Sequence, residues 1–125
     1  MVVHGSDGLD EITTTGPTKI SEWRDGSVHT YEFDAASIGV PRANPTALKG
    51  GDSDENARAL RSCLEGGDGP VRDIVVVNAA GALVASGVAP DMAAAYAHAS
   101  ESVDSGAALG KLDGLIRLSN LGDSA

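Results

Sequence analysis

Two adjacent carboxylates, Asp10 and Glu11, are the residues whose types and spacing best support chemistry in this sequence. They follow a short β-branched run and a loop bounded by Gly5 and Gly8. Because glycine permits the tight turn that ends a strand, this order of residues places both acids at the mouth of a sheet. Mg²⁺ prefers such hard oxygen ligands, and it usually completes its shell with water and substrate phosphate. A bare acid pair is more commonly a solvated loop, so the surrounding sequence must decide.

The other polar residues near this pair have simpler interpretations. Asp7 is predicted to be a loop-turn residue rather than a further acid behind the metal. The run Thr13 to Thr15 could offer hydroxyls to phosphate, but a β-branched edge strand explains it more simply. His4 is predicted to be a hydrogen-bonded structural histidine at the end of a buried strand, residues 1–3.

Composition indicates one compact domain with no nucleic-acid or membrane partner. The chain has 125 residues, which is enough to bury a core, and its formal net charge is −9. That charge argues against binding to nucleic acid and against electrostatic docking on an anionic membrane. The single cysteine, Cys63, forms no intrachain disulfide and is predicted to be a small core residue of a helix. No signal peptide or long apolar run is evident, so we expect a cytoplasmic protein.

A β-hairpin is predicted for residues 19–24 and 28–33. The two-residue sequence Asp25-Gly26 between them is a strong hairpin-turn signal, because the primed turns need positive φ. Residues 34–44 predict an irregular connector. Three aromatic side chains are predicted to cover one side of the hairpin by core packing rather than as a ligand platform: Trp23, Tyr31 and Phe33.

Residues 70–86 fit either a strand or a helix by periodicity alone. Ile74 to Val77 have strand propensity, but the apolar run continues to Ala85, which is too long for a strand and typical of a buried helix. We therefore predict a helix that ends with Gly87 just beyond its last turn.

Three further helices are predicted, one before that segment and two after it. A capping-box pattern at residues 52–55 begins the first, Pro90 is placed near the start of the next, and residues 107–119 form the last. In the last helix, Gly110 and Gly114 lie four residues apart and are predicted to permit close packing.

Several ordered motifs resemble anthranilate phosphoribosyltransferases. Near the acids the matching stretches are Val-His-Gly at 3–5, Gly-Leu-Asp-Glu at 8–11 and Gly-Pro-Thr at 16–18. The resemblance continues in Glu55-Asn56-Ala57, in residues 69–80, in residues 104–108 and in Lys111-Leu112. It therefore covers nearly the whole chain.

The resemblance implies an α/β fold, in which residues 1–120 form the C-terminal portion of a phosphoribosyltransferase α/β domain. A sheet edge with a β-hairpin would be followed by four packed helices, and residues 121–125 would be a frayed tail. Family members transfer the phosphoribosyl group of phosphoribosyl pyrophosphate to anthranilate, a step of tryptophan biosynthesis, and commonly form homodimers. Asp10 and Glu11 match the family's acid pair, which implies that they bind Mg²⁺ at the diphosphate.

Other family motifs are absent from this sequence. No match is found for the Gly-Thr-Gly-Gly-Asp phosphate loop, the Lys-His-Gly-Asn segment or the arginine that contacts anthranilate. Gly50-Gly51-Asp52 and Gly66-Gly67-Asp68 are not that loop, because they lack the Gly-Thr lead. We therefore expect a fragment that is catalytically incomplete alone, and we assign it no catalytic residue. Two alternatives stay open: a pyrimidine nucleoside phosphorylase-like enzyme, and a non-catalytic binding half that associates with an N-terminal partner.

Overall fold

The computed structural model describes residues 1–121, and residues 122–125, most of the predicted frayed tail, lie outside this range. The described chain forms a three-stranded antiparallel sheet of order β1-β2-β3, then two short 3₁₀ helices, then four α-helices. The predicted α/β class, with a hairpin followed by four helices, is confirmed. The strands and helices are β1 (Val2–Gly5), β2 (Pro17–Arg24), β3 (Ser27–Asp34), α1 (Ser53–Leu64), α2 (Pro70–Ala85), α3 (Met92–Asp104) and α4 (Ala107–Ser119).

The hairpin of β2 and β3 turns at the predicted residues, but its aromatics do not share one face. Asp25 and Gly26 have φ angles of 51° and 82°, as a primed two-residue turn requires. This turn pairs Trp23 with Val28 and Ile20 with Tyr31, so Trp23 lies on the opposite face from Ile20. Trp23 is 67% exposed, and the prediction that it packs in the core is wrong.

Of the other two hairpin aromatics, only Phe33 packs on the core. It is half-buried against a cluster that contains Ile12 and Val77, whereas Tyr31 is 40% exposed and donates its hydroxyl to Glu22 Oε2 at 3.3 Å. The strand register therefore separates Trp23 from Tyr31 and Phe33, which share a face of β3 but differ in burial.

The first strand is also less buried than the sequence predicts. Val2 is 71% exposed, whereas Val3 is half-buried against the core. Within residues 1–121, β1 pairs with β2 on one side only, which leaves Val2 without the neighbour that a buried strand has. The prediction of a buried strand at residues 1–3 is therefore wrong for Val2.

The helix α2 is the apolar centre of the helical layer. The predicted helix over residues 70–86 is confirmed. Its buried residues are small or β-branched: Val76, Val77, Ala80 and Gly81. A Cβ on Gly81 would lie 2.7 Å from Ile12 Cδ1, so the missing side chain lets the loop after β1 approach the helix closely. Although α2 is strongly apolar, no helix within residues 1–121 has both the length and the hydropathy needed to cross a membrane.

The helix ends confirm most of the predicted capping, with two corrections. The capping box of Asp52 and Glu55 is present at the start of α1. Asp91 is the N-cap of α3, where it accepts a hydrogen bond from Ala94 N–H at 2.9 Å, so Pro90 precedes the helix instead of occupying its first turn. In α4 the predicted close packing at Gly110 and Gly114 is wrong, because no other element of the described chain lies within 4 Å of a Cβ built at either position.

The end of α2 has the hydrogen bonds of a Schellman motif. Gly87 N–H donates to Val84 O and Val88 N–H donates to Leu83 O, each at 3.0 Å. Gly87 occupies the predicted position after the helix, with φ of 74°. In this left-handed conformation a Cβ is strained even where space is free.

We expect Gly87→Ala and Gly110→Ala to change stability in opposite directions. Neither new methyl group would contact a described atom, so only backbone conformation differs between the two sites. Gly87→Ala should lower the free energy of unfolding by about 1 kcal/mol, and Gly110→Ala, inside α4, should raise it by about 0.5–1 kcal/mol. Urea unfolding of the two variants checks this, and shifts of the same sign would contradict it.

Candidate metal site on the loop after the first strand

The loop between β1 and β2 carries both predicted metal ligands. Asp10 and Glu11 are exposed, and the structure brings them to the end of the sheet, as expected. The base of the loop is closed by a hydrogen bond from Ser6 N–H to Pro17 O at 2.9 Å. A second hydrogen bond, from Gly5 N–H to Leu9 O at 2.8 Å, closes a tight turn directly before the acids. The chain therefore enters the acid pair from a fixed position.

The residue after the acids is an apolar anchor. Ile12 is 1% exposed and packs in a cluster with Ala35, Val40 and Val77. Burial of such a side chain contributes about 1.5–3 kcal/mol. Because Ile12 points into the core, the neighbouring Glu11 is directed to the surface.

The side-chain amide of Asn78, on α2, holds the backbone of Ile12 at both of its polar groups. Asn78 Oδ1 accepts from Ile12 N–H at 2.8 Å, and Asn78 Nδ2 donates to Ile12 O at 2.9 Å. The same Nδ2 donates to Ile74 O, one helical turn earlier, also at 2.9 Å. These three bonds use most of the hydrogen-bonding capacity of the amide and fix its orientation.

A second network, centred on Asp7, closes the rest of the loop. Thr13 Oγ1 and Thr15 Oγ1 each donate to Asp7 Oδ2 at 2.6 Å, and Leu9 N–H donates to Asp7 Oδ1 at 3.2 Å. Thr13 N–H donates to Thr18 Oγ1 at 3.0 Å. The prediction that Thr13 to Thr15 form an edge strand is wrong. The Thr13 and Thr15 hydroxyls bind a carboxylate, and the backbone N–H of Thr13 donates to a side chain instead of to a neighbouring strand.

The Asp7 network also sets the charge state of that acid. Burial by itself would raise the pKa of Asp7, but the hydroxyls of Thr13 and Thr15 and the amide of Leu9 together lower it. Asp7 is thus an ionised loop-turn residue whose two oxygens are already engaged. This agrees with its predicted structural role.

Among the residues in the range 1–121, the carboxylates of Asp10 and Glu11 have no hydrogen-bond or ion-pair partner, unlike that of Asp7. Glu11 borders a cleft of about 360 Å³ that Ile74, Val75 and Asn78 also line. Exposed carboxylates of this kind fit Mg²⁺, which binds one or two carboxylates and takes its other ligands from water and phosphate.

The structure confirms the role predicted for Cys63 but not the role predicted for His4. Cys63 is buried in α1, and burial raises the pKa of its thiol, which suits the predicted core residue and not a nucleophile. His4 is exposed on β1, and its ring makes no hydrogen bond to the described residues, so the prediction of a hydrogen-bonded histidine is wrong.

The residue that the sequence interpretation missed is Asn78. Its signal was available, because it is the one strongly polar side chain in the apolar run from Ile74 to Ala85. A lone amide inside a buried helix indicates a specific backbone partner, since an unpaired buried amide is costly.

Comparison with known proteins identifies the class of this chain. The sequence profile described as glycosyl transferase family, a/b domain, matches residues 1–109, and the chain belongs to this family. The anthranilate phosphoribosyltransferase of Rhodopseudomonas palustris (strain BisB5) is 50% identical over 121 residues, which is 97% of this chain and 36% of that protein. The anthranilate phosphoribosyltransferase of Rhodospirillum rubrum is 52% identical over 117 residues, 94% of this chain and 34% of that protein.

Solved structures agree with the sequence comparison. Anthranilate phosphoribosyltransferase from Thermus thermophilus matches with a TM-score of 0.74 and 35% identity, over 83% of this chain and 30% of that one. The Saccharomyces cerevisiae enzyme in complex with PRPP and Mg matches with a TM-score of 0.77 and 28% identity, over 89% of this chain and 32% of that one. The predicted resemblance is confirmed, and the chain spans about a third of the length of these relatives.

We expect Asp7→Asn to remove part of the acid sensitivity of the fold. Because the pKa of Asp7 is lower in the folded chain than in the unfolded chain, its stabilisation is complete above the unfolded value of about 4 and is lost as pH falls through the folded value. The stability difference between the wild type and Asp7→Asn should therefore shrink as pH falls from 6 to below 4.

Urea unfolding across this pH range measures that difference, and a difference independent of pH would contradict the expectation. Thr15→Val is the matched test of cause, because it removes one of the two hydroxyl donors. Its effect should be smaller in the Asp7→Asn background than in the wild type.

Proposed function

We propose that this chain is the metal-binding, C-terminal portion of the α/β domain of an anthranilate phosphoribosyltransferase. In this proposal Asp10 and Glu11 hold Mg²⁺ against the diphosphate of phosphoribosyl pyrophosphate. The observation that carries it is a pair of adjacent, exposed carboxylates, with the backbone held on both sides, in a chain about half identical to enzymes of that name.

The chemistry follows from the charges that develop in phosphoribosyl transfer. Anthranilate nitrogen bonds to C1 of the ribose as the C1–O bond to pyrophosphate breaks, and negative charge grows on the departing diphosphate. Mg²⁺, when bound, stabilises that charge as a Lewis acid and orients the diphosphate. The role of Asp10 and Glu11 is to hold the cation at a fixed place on the sheet end.

A cation is also needed for electrostatic reasons. The formal net charge of the chain is −9, and Asp7, Asp10 and Glu11 lie on the same short loop. A diphosphate that approaches three carboxylates is repelled unless a divalent ion lies between them. The acid pair is therefore suited to binding metal-complexed diphosphate and unsuited to binding the free anion.

The named relatives support the substrate assignment. The S. cerevisiae enzyme has been solved with PRPP and Mg, and also with 4-fluoroanthranilate. The named relatives are all anthranilate phosphoribosyltransferases, which favours the transferase over a nucleoside phosphorylase. By the same reasoning, the rest of the full-length enzyme would supply the glycine-rich phosphate loop and the contacts to anthranilate. We further propose that the complete enzyme is a cytoplasmic homodimer.

The acid pair can be tested in a full-length chimera in which this chain replaces the matching segment of the Rhodospirillum rubrum relative. We expect Asp10→Asn with Glu11→Gln to raise the Mg²⁺ concentration for half-maximal turnover by about 100-fold or more, because loss of groups that merely orient metal ligands already costs about 10–100-fold. Formation of phosphoribosyl anthranilate against Mg²⁺ concentration measures this.

A charge-matched control separates ligation from general electrostatics. Glu32→Gln with Glu101→Gln removes the same two charges from exposed positions on β3 and α3. This control should leave the Mg²⁺ requirement within about twofold of the wild type, since these exposed charges lie on other elements and salt screens them. If the acid-pair variant behaves like the control, the assignment of Asp10 and Glu11 is wrong.

We also expect the 125-residue chain alone to form no phosphoribosyl anthranilate, even at high Mg²⁺. Positioning of both substrates supplies much of an enzyme's rate enhancement, and the chain lacks a phosphate loop of the family type. A fluorescence assay of the purified chain with both substrates checks this. Turnover comparable to that of the chimera would show that the chain is complete by itself.

A further inference from the structure

We propose that Asn78 is a positioning residue for the Mg²⁺ site: its amide sets the backbone geometry that aims Asp10 and Glu11 at one cation. The inference rests on the proposed function, because it presumes that these two carboxylates bind Mg²⁺. Asn78 itself would contact neither the metal nor the diphosphate.

The peptide between Glu11 and Ile12 is held in one orientation by this amide. Asn78 Oδ1 accepts from Ile12 N–H at 2.8 Å. Because the peptide unit is planar, holding that N–H also fixes the direction of the Glu11 carbonyl. The bond from Asn78 Nδ2 to Ile12 O at 2.9 Å fixes the following peptide in the same way. Two consecutive peptide planes beside the acid pair are thus tied to α2.

The amide of Asn78 is itself held rigidly. Its Nδ2 also donates to Ile74 O at 2.9 Å, so a backbone carbonyl of α2 sets the rotation of the side chain. The neighbouring helical residues Val76 and Val77 are fully buried. The loop backbone is therefore held by a side chain that is itself fixed on the buried helix α2.

A purely structural role explains the asparagine less well. Ile12 is already anchored by its buried side chain, and asparagine is a poorer helix former than the alanines and leucine farther along α2. If anchoring were all that was needed, an apolar residue at position 78 would serve the helix better. The amide adds control of peptide orientation, which a carboxylate pair aimed at one cation requires. It adds this control without placing another charge beside Glu11.

Asn78 also lies close to the acid pair. It lines the same cleft of about 360 Å³ as Glu11, together with Ile74 and Val75. Any change in the loop at Ile12 therefore alters the cleft wall and the Glu11 side chain together. The residue acts at the site through the backbone that it holds.

The chain contains a matched control for this kind of interaction. Asn56, in α1, makes the same pair of bonds to Gly51: Gly51 N–H donates to Oδ1 at 2.9 Å, and Nδ2 donates to Gly51 O at 3.0 Å. This second clamp holds the segment that leads into α1 and not the acid loop. Asn56→Ala removes the same hydrogen bonds without disturbing the loop of Asp10 and Glu11.

The experiment uses the full-length chimera with the Rhodospirillum rubrum relative, carrying Asn78→Ala, Asn78→Leu or Asn56→Ala. Leu has the same number of side-chain heavy atoms as Asn, with the same branching, and it favours the helix, so Asn78→Leu removes the clamp without opening a cavity beside α2. We expect both Asn78 variants to raise the Mg²⁺ concentration for half-maximal turnover by about tenfold or more, with a much smaller change in kcat at saturating Mg²⁺. Asn56→Ala should leave the Mg²⁺ requirement unchanged.

Amide hydrogen exchange on the 125-residue chain gives a readout independent of turnover. Exchange at Ile12 should accelerate in both Asn78 variants and not in Asn56→Ala, whereas exchange at Gly51 should accelerate only in Asn56→Ala. Faster exchange at Ile12 with an unchanged Mg²⁺ requirement would overturn the proposal, since the clamp would then be structural only.

The Asp10→Asn, Glu11→Gln variant distinguishes failure of the metal site from failure of its positioning. If that variant shifts the Mg²⁺ requirement and the Asn78 variants do not, the positioning role is wrong and the metal site stands. If neither shifts it, the metal site itself is wrong, and the role of Asn78 fails with it.

Discussion

The hydrogen bonds between the Asn78 amide and the Ile12 backbone join the two halves of this structure. The sheet is antiparallel and local, and the helices pack mainly on one another, so few contacts link the layers. Ile12 links them with its side chain, which lies in the core cluster, and with its backbone, which is bound to α2. Within the acid loop, Ile12 and its partner Asn78 make this connection to the helices, and the rest of the core cluster supports it.

Around that link, the loop separates residues that fold it from residues that face solvent. Asp7, Thr13 and Thr15 satisfy one another, and the turn at Gly5 closes through the backbone. Asp10 and Glu11 contribute nothing to these bonds. The segments that flank the pair are held by other residues, which fixes the backbone that carries both carboxylates.

Sequence reasoning predicted the elements better than their environments. The turn at Asp25-Gly26 and the helix over residues 70–86 follow from local rules of turn chemistry and apolar run length. The exposure of Trp23 depends on strand register, which the hairpin aromatics alone do not indicate. The acid pair was predicted from residue type and family resemblance. The lone amide of Asn78 is visible in the apolar run of α2, but its partner Ile12 lies 66 positions away, which local patterns do not show. Thr13 to Thr15 misled because β-branched residues suit strands and side-chain-bonded loops alike.

The division of labour within the loop has an evolutionary consequence. Asp10 and Glu11 make none of the hydrogen bonds that hold the loop. A lineage that lost them would keep a properly folded protein, so selection for foldability would not act against the change. Asp7 is constrained in the opposite manner, because its loss removes the hydrogen bonds that hold the loop together. Descendants of such a chain can therefore lose both carboxylates while they retain the fold, and a folded homologue with altered residues at positions 10 and 11 is the expected outcome.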